Sequence, residues 1–175
     1  MIIINITGLE ISKLELLGKG SQGRVYRIDS ERCIKIFKKH SACYDETKAF
    51  FMALGDEHFP QLYSAGPNYI IRECINGIEL DRYLSRNELT MSISEKIIGL
   101  YEAMKKVKYK RLDSALFHIF VTTEGKLRVI DTAKALKKKT IYPRLLLKCL
   151  EQLGYKDKFL NYVQYIRPDL YNVWK

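Results

Sequence analysis

Two aspartates, Asp113 and Asp131, flank a stretch whose residue types suit a base and a metal ligand. They are eighteen positions apart. Between them, apolar residues at alternate positions around a turn at Glu124-Gly125 predict a β-hairpin over residues 119–130. Such a hairpin can bring the two carboxylates close together. The alternative is that both aspartates cap turns at the ends of a surface hairpin, where Asp is common.

A glycine-rich segment near the start carries a second candidate for chemistry. Gly18, Gly20 and Gly23 form the pattern G-x-G-x-x-G, and Lys35 follows twelve residues after the last glycine. This pattern often indicates dinucleotide binding, which needs a helix directly after the glycines. The residues after Gly23 instead predict strand, turn and strand. They favour a glycine-rich hairpin over phosphates, with a lysine on the next strand pointing at them.

Together these motifs resemble those of the protein kinase family. The glycine segment matches G-x-G-x-x-G-x-V through Val25, and Lys35 falls where the family has its phosphate-pairing strand lysine. Arg111-Leu112-Asp113 resembles the H-R-D catalytic loop, and Ile130-Asp131-Thr132-Ala133 resembles the D-F-G segment. The resemblance runs from about Leu14 to Ala133, roughly two thirds of the chain. It is closest to small atypical bacterial serine/threonine kinase-like proteins with a truncated C-terminal lobe.

The resemblance implies a two-lobed α+β fold in a single kinase-like domain. Residues 1–74 would form an N-lobe with an antiparallel β-sheet and one helix, and residues 75–175 a truncated, mainly helical C-lobe. The implied activity is ATP-dependent phosphotransfer, most simply to a serine or threonine hydroxyl, with ATP and Mg²⁺ or Mn²⁺ as cofactors.

The resemblance also assigns roles to individual residues. Asp113 would orient the attacking hydroxyl or accept its proton, and Lys35 would hold phosphate oxygens. A helix predicted from Ala42 to Leu54 carries Glu46, which would pair with Lys35 and orient it. The alternative for Glu46 is an exposed helix carboxylate. The implied nucleotide-binding residues are Gly18, Gly20, Gly23, Val25, Lys35, Glu73 and Cys74, the last two through a hinge backbone that would receive adenine.

For the metal, the resemblance points to Asp131 and His118. His118 stands five residues beyond Asp113, where the family has a metal-binding asparagine. A neutral imidazole can bind a divalent ion, although oxygen ligands suit magnesium better. The alternative for His118 is a core histidine that orients the loop.

Three departures from the family pattern keep a second function open. Arg72 stands just before the hinge, where an apolar residue usually borders the pocket, and Ala115 replaces a lysine that often touches the transferring phosphate. His118, in place of the family's asparagine, is the third departure. Thr132-Ala133 replaces Phe-Gly, which puts the family's usual switch at that point in doubt. The alternative function is therefore a pseudokinase that serves as a nucleotide-binding or interaction scaffold, with nucleic acid as a further candidate partner.

The formal charge of +10, from 30 Lys and Arg against 20 Asp and Glu, favours polyanionic partners. Lysines cluster in sequence on both sides of the stretch from Asp113 to Asp131, which we call the catalytic segment. They are Lys105, Lys106, Lys108, Lys110 and residues 137–139. They predict a docking surface for an acidic protein partner or substrate. The alternative is a solvated basic face.

Cysteine and hydropathy patterns predict a cytoplasmic protein without a membrane segment. The four cysteines show no C-x-x-C spacing, and the three histidines show no zinc spacing. This usage fits a reducing compartment. The N-terminal apolar run is short and lacks a basic lead, so no signal peptide is predicted.

Alternating and helical patterns place the remaining elements. They predict a strand over Ile2 to Ile6, strands over Leu62 to Ala65 and Tyr69 to Cys74, a short helix over Ile78 to Leu84, and a long helix over Ser92 to Val107 capped by Ser92 or Ser94. Helices are expected over Tyr142 to Leu153, Lys156 to Tyr165 and Pro168 to Trp174.

Overall fold

The computed structural model describes residues 5, 6, 8–132, 134–137 and 139–175. Within them the fold is α+β, with ten strands and six α-helices. The predicted first strand lies outside the described residues except for its last two positions. These form β1 (Asn5–Ile6), which pairs antiparallel with β2 (Leu9–Glu10).

The largest sheet has five antiparallel strands in the order β3-β4-β5-β7-β6. Their bounds are β3 (Glu15–Lys19), β4 (Gly23–Arg27), β5 (Arg32–Phe37), β6 (Leu62–Ala65) and β7 (Tyr69–Glu73). Gly18 lies opposite Val25, and Val25 lies opposite Lys35, so these three residues form one row across neighbouring strands. Directly opposed residues of an antiparallel pair project from the same face. Three residues singled out by the sequence therefore share a face of the sheet.

Helix α1 (His40–Met52) connects β5 to β6 and packs on the sheet. It begins two residues before the predicted helix and ends two residues before the predicted end, with Gly55 at φ 80° shortly after it. Cys43 and Phe50 of α1 form a small buried cluster with Phe37 and Ile70 of the sheet. Glu46 lies on the same buried side of the helix and has no exposed surface. The alternative of an exposed helix carboxylate is therefore wrong.

A smaller antiparallel sheet, in the order β10-β9-β8, contains the predicted hairpin. Its strands are β8 (Gly77–Glu79), β9 (Ile119–Thr122) and β10 (Leu127–Val129), and Gly125 turns the hairpin with φ 72°. The short helix predicted from Ile78 is wrong over its first two residues, because Gly77–Glu79 pairs with β9 instead. Only Leu80–Leu84 is helical, as α2.

The C-terminal part of the chain is mainly helical. Its helices are α3 (Met91–Lys106), α4 (Arg144–Gln152), α5 (Lys156–Ile166) and α6 (Pro168–Trp174). Thr90 caps α3 by accepting the N–H of Ile93, whereas the serines predicted as caps lie inside the helix. Leu116, Leu150, Phe159 and Trp174 are fully buried members of the core between these helices and the hairpin. No helix in the described part of the chain is long and apolar enough to cross a membrane.

Candidate functional site

Lys35 and Glu46 form a buried ion pair. The Nζ of Lys35 lies 2.6 Å from Oε2 of Glu46, and their side chains are 13% and 0% exposed. Burial raises the pKa of Glu46, while the charge of Lys35 acts in the opposite direction and Asp131 adds to the rise. The structure thus brings together the strand lysine and the helix glutamate that the sequence paired, and it places Asp131 within electrostatic reach of them.

The glycine segment is the tight connection between β3 and β4. Gly20 donates its N–H to the carbonyl of Gly23 over 2.9 Å, and the Nζ of Lys38 donates to the carbonyl of Ser21 over 3.1 Å. A Cβ on Gly23 would lie 2.0 Å from the carbonyl oxygen of Ile36, so packing requires glycine there. Gly18 and Gly20 have open space where a side chain would point. Their backbone is therefore accessible to a ligand.

A pocket of about 320 Å³ lies between the sheet and the segment that follows β7. Gly18, Val25 and Cys74 of the predicted nucleotide-binding set are in its wall. Other wall residues include Arg27, Cys33, Arg72, Ile75, Asn76, Glu79 and Phe120. This volume is at the lower end of the range typical of small-molecule sites.

Both backbone groups at which the sequence places adenine have protein partners. The carbonyl of Glu73 accepts a hydrogen bond from Nη1 of Arg72 over 2.8 Å. The N–H of Cys74 donates to the carbonyl of Glu31 over 2.7 Å. Ile75, which the sequence did not single out, contributes the neighbouring part of the pocket wall. The sequence could not predict that the N–H of Cys74 is occupied, because its partner Glu31 is far away in the chain.

The side chain of Glu73 points away from this pocket and binds Arg128 of β10. Oε2 of Glu73 accepts from Nη2 of Arg128 over 2.8 Å, and Oε1 accepts from Nη1 of the same guanidinium. Nη2 of Arg128 also donates to the carbonyl of Phe59 over 2.7 Å. Burial by itself raises the pKa of Glu73, but the hydrogen bonds from Arg128 and Gln61 outweigh it, so the pKa is lowered. Glu73 therefore joins the five-stranded sheet to the hairpin.

Asp113, His118 and Asp131 line one small pocket of about 110 Å³. Nε2 of His118 lies 3.7 Å from Oδ2 of Asp131, and both side chains are about one third exposed. Burial lowers the pKa of His118; Asp131 opposes this effect, and Lys35 adds to it. The imidazole is therefore mainly neutral at pH 7, which is the form that binds metals. The hairpin brings together the two aspartates that flank it, as the sequence predicted it could.

The carboxylate of Asp113 also caps a helix from a distance. It accepts the N–H of Leu145 over 3.0 Å and that of Leu146 over 3.3 Å, at the start of α4. Pro143, the residue before α4, provides no side-chain cap. Burial raises the pKa of Asp113, and the two N–H groups counteract this rise. For Asp113 the alternative of a turn cap on a surface hairpin is therefore wrong, because the residue is buried and caps a helix thirty-two residues away.

For a divalent cation, the resemblance points to the carboxylate of Asp131 and the imidazole of His118, which lie 3.7 Å apart. No group of three or more His, Cys, Asp or Glu side chains in the described ranges is arranged to hold a metal. Mg²⁺ bound with a nucleotide commonly takes one or two carboxylates, with phosphate oxygens and water completing the shell. Asp131 fits that chemistry. The nitrogen of His118 suits transition-metal ions better than it suits Mg²⁺, which prefers oxygen ligands.

The predicted lysine surface is only partly free. Lys106 lies 3.6 Å from Asp56, and Lys137 lies 3.2 Å from Asp45. Both lysines are more than half exposed, so these contacts are weak. Lys105, Lys108, Lys110 and Lys139 are exposed as well, while Lys138 lies outside the described residues.

Comparison with known proteins does not assign the chain to a family. No protein-family model matches the sequence, and no curated protein matches it either. What the site does is therefore inferred from its residues and their geometry.

Proposed function

We propose that the chain is a phosphotransferase dependent on a purine nucleoside triphosphate, with the two-lobed protein-kinase-like fold that its motifs resemble. The observation that carries the proposal is the ion pair of Lys35 with Glu46 on the face of the sheet shared by Gly18 and Val25. A buried carboxylate that fixes a lysine beside an open glycine backbone makes a cationic cradle for phosphates. ATP is the donor that the sequence predicts.

The order of elements supports the kinase-like assignment. The five-stranded sheet has its last two strands exchanged in order, and α1 inserts between β5 and β6 to supply Glu46. The chain then passes through residues 74–76 into a mainly helical part. On this proposal, residues 1–74 would belong to the N-lobe and residues 75–175 to the C-lobe. The C-lobe would be a shortened one.

The proposed chemistry is mainly positioning and charge neutralisation. Lys35 would hold phosphate oxygens, and Asp131 with His118 would hold the divalent ion that neutralises the transferred group. Asp113 would orient the acceptor hydroxyl and take its proton. A carboxylate has about four acceptor positions, so its contacts to Leu145 and Leu146 leave capacity for a hydroxyl in the same pocket.

The first test measures nucleotide binding by thermal unfolding. At a hundredfold excess over the dissociation constant, a nucleotide–metal complex should raise the midpoint by about 5–10 °C. The double variant Lys35→Met/Glu46→Leu removes both charges and should lose this rise. Lys48→Met, which changes an exposed lysine of the same helix, should retain it. The absence of any shift with ATP or GTP, together with Mg²⁺ or Mn²⁺, would exclude a nucleotide site.

A second candidate function is nucleotide binding without transfer, as in a pseudokinase. Two observations favour it: Asp113 is engaged by the start of α4, and Ala115 supplies no charge beside it. Incubation with γ-labelled triphosphate and an acceptor protein distinguishes the two functions. Nucleotide-dependent stabilisation without label transfer, including to the chain itself, would favour the scaffold.

The lysine surface is the proposed docking site for an acidic protein acceptor. Its exposed charges lie beside the catalytic segment, and such contacts weaken strongly as salt rises. An acidic acceptor should therefore lose phosphorylation between about 50 mM and 200 mM salt. Tight binding of RNA or DNA, with a steep salt dependence and no acceptor phosphorylation, would favour a nucleic-acid-associated scaffold.

A further inference from the structure

Helix α1 carries large apolar side chains on two sides, and the sheet covers only one of them. Cys43 and Phe50 face the sheet and are buried. Tyr44 and Phe51, each the next residue along the chain, are 65% and 59% exposed. A surface helix of a globular protein has polar residues on its outer side. The outer side of α1 departs from that pattern, so it is a candidate contact surface.

Both aromatic rings border a groove of about 570 Å³ between the outer side of α1 and strand β6, which we call the α1–β6 groove. Leu54 and Tyr63 also line it and are 55% and 46% exposed. The β6 side of the groove is made of small residues, Ser64, Ala65 and Gly66. One surface patch therefore combines exposed aromatic rings with a depression that has room for an aromatic ring.

The α1–β6 groove is free of charged side chains in a strongly basic protein. No lysine, arginine, aspartate or glutamate is among the described residues that line it, whereas the whole chain has a formal charge of +10. An acidic protein or a nucleic acid would find no cation in this lining to bind. Two copies of the chain repel each other through their net charge, and a contact between uncharged patches adds no close pair of like charges. The charge distribution therefore favours a second copy as the occupant.

The exposed apolar area matches what a small specific dimer needs. With about 150–250 Å² for each aromatic side chain, the exposed parts of the four large side chains of the groove add to roughly 400 Å². Two such surfaces, together with the groove lining between them, would remove about 1,000 Å² from water, the size at which specific association begins. Contacts of that size are typical of weak, reversible dimers.

Strand β6 indicates that side chains, and not a further strand, would make this contact. It is the last strand of the five-stranded sheet, so its outer edge has no strand partner among the described residues. A register shift between Leu62 and Ser64 interrupts its regular pairing with β7. An irregular edge of this kind is poorly suited to pairing with another strand. This favours a closed pair of molecules over an open-ended sheet.

We infer that the chain forms a two-fold symmetric dimer through the α1–β6 groove, with Tyr44 and Phe51 of each copy lying in the groove of the other. A two-fold contact uses the same patch on both molecules, so that patch must be complementary to itself. Aromatic rings beside a depression lined by small residues meet this requirement. The dimer does not depend on the proposed phosphotransferase function.

The test measures molecular mass by sedimentation velocity as the protein concentration rises. Because a contact of this size corresponds to micromolar or weaker dissociation constants, concentrations from about 1 to 300 µM are compared. The mass of wild type should rise from that of one chain towards that of two. Hydrogen exchange of α1 and β6 should slow over the same range. Phe51→Glu should weaken dimerisation at least about tenfold, because it places a charge in the centre of the contact.

The matched control is Tyr165→Glu. Tyr165 lies on α5, outside the groove, and is 79% exposed, so this variant makes a similar change on another surface. It should dimerise like wild type. Each variant lowers the net positive charge of the chain, so a loss of dimer in Phe51→Glu alone cannot come from greater net repulsion. Thermal unfolding at the lowest concentration checks that both variants remain folded.

Four results would overturn the inference. One is a wild-type protein that stays monomeric at every concentration, and another is a dimer that Phe51→Glu leaves undiminished. Equal loss in Phe51→Glu and Tyr165→Glu would show that the contact is not confined to the groove. Binding of monomeric wild type to phosphatidylcholine vesicles, lost in Phe51→Glu, would assign the patch to a lipid surface instead. If Phe51→Glu does not fold, Tyr44→Ser decides by the same criteria.

Discussion

The contact between Lys35 and Glu46 makes stability depend on both charges. Lys35→Met leaves a carboxylate in a place with no exposed surface, which costs about 3–5 kcal/mol when a buried pair loses one partner. The double variant Lys35→Met/Glu46→Leu should recover most of that loss, since apolar residues often replace a buried pair without cost. Urea unfolding of the three proteins measures the difference. A double variant no more stable than the single one would contradict this account.

The pH dependence of the stability of Lys35→Met is a second test of the same ion pair. Burial raises the pKa of Glu46, and removing Lys35 takes away the main opposing effect. A carboxyl with a raised pKa in the folded state favours folding below its unfolded pKa of about 4.5 and loses that contribution as pH rises through the folded value. The destabilisation of the variant relative to wild type should therefore shrink from pH 7 towards pH 4.5.

Replacing Asp113 separates its role as a helix cap from its proposed role as a base. Asp113→Ala removes the acceptor for two N–H groups of α4 and should cost about 1–2 kcal/mol. Asp113→Asn keeps a capping oxygen, so it should remain near wild type in stability. If Asp113 also acts as the base, the asparagine variant should transfer label about 10²–10⁴-fold more slowly. Full transfer by a stable Asp113→Asn protein would leave only the capping role.

Among individual residues, the sequence predicted those whose partners belong to the kinase-like motifs. Glu46 was predicted because the family that the chain resembles pairs its strand lysine, here Lys35, with a glutamate of the following helix. The capping of α4 by Asp113 and the pairing of Cys74 with Glu31 could not be predicted. Those contacts join segments that are 32 and 43 residues apart, and nothing in the local pattern of either segment indicates them.

Among the elements, the β3–β4 hairpin offers a comparison between a glycine held by packing and one open to a ligand. Gly23→Ala would place a Cβ against the carbonyl of Ile36, so β4 and β5 must separate locally, at an expected cost of about 1–3 kcal/mol. Gly20→Ala meets no atom within 4 Å and should change stability by less than about 1 kcal/mol. Chemical unfolding of both variants measures this difference.

Nucleotide titration of the same two variants adds a functional readout. If the open backbone at Gly20 contacts the proposed phosphates, its alanine variant should bind nucleotide more weakly while remaining folded. The expected pattern is thus a stability defect at Gly23 and a binding defect at Gly20. Equal stability losses at both positions would show that the hairpin responds to any side chain.

The elements themselves were predicted well where the alternation of apolar residues is local. The strand bounds at Leu62–Ala65 match the prediction, and those at Tyr69–Glu73 differ from it by one residue. Ile78 and Glu79 were predicted as helix, because their strand character comes from pairing with β9 more than forty residues later. So few residues cannot show a period, and tertiary pairing decided their conformation.

Across the whole molecule, Glu73 and Arg128 tie the five-stranded sheet to the hairpin. Glu73→Gln removes a partly buried carboxylate that accepts twice from Arg128, and it should cost about 1–3 kcal/mol at pH 7. Because the pKa of Glu73 is lowered in the folded state, the contribution is present above the unfolded value of about 4.5 and is lost as pH falls below it. The difference from wild type should therefore be large at pH 7 and small at pH 3.

The control for this measurement is Glu57→Gln. Glu57 binds Lys126 at 2.7 Å, but both side chains are more than half exposed. An exposed pair of this kind contributes little, so the control should change stability by less than about 1 kcal/mol. Loss of stability of the same size in both variants would argue against a special connection through Arg128.

The cap that Asp113 places on α4 also sets an order of events during synthesis. A ribosome adds about 5–20 residues each second, and segments fold as they emerge. The two N–H groups that hold Asp113 belong to Leu145 and Leu146, so a nascent chain that ends before them exposes a carboxylate with no settled orientation. The strands of the five-stranded sheet and both residues of the Lys35–Glu46 pair lie within residues 15–73. The residues of the proposed phosphate cradle would therefore leave the ribosome first, and the proposed acceptor side of the pocket could form only after the start of α4 has emerged.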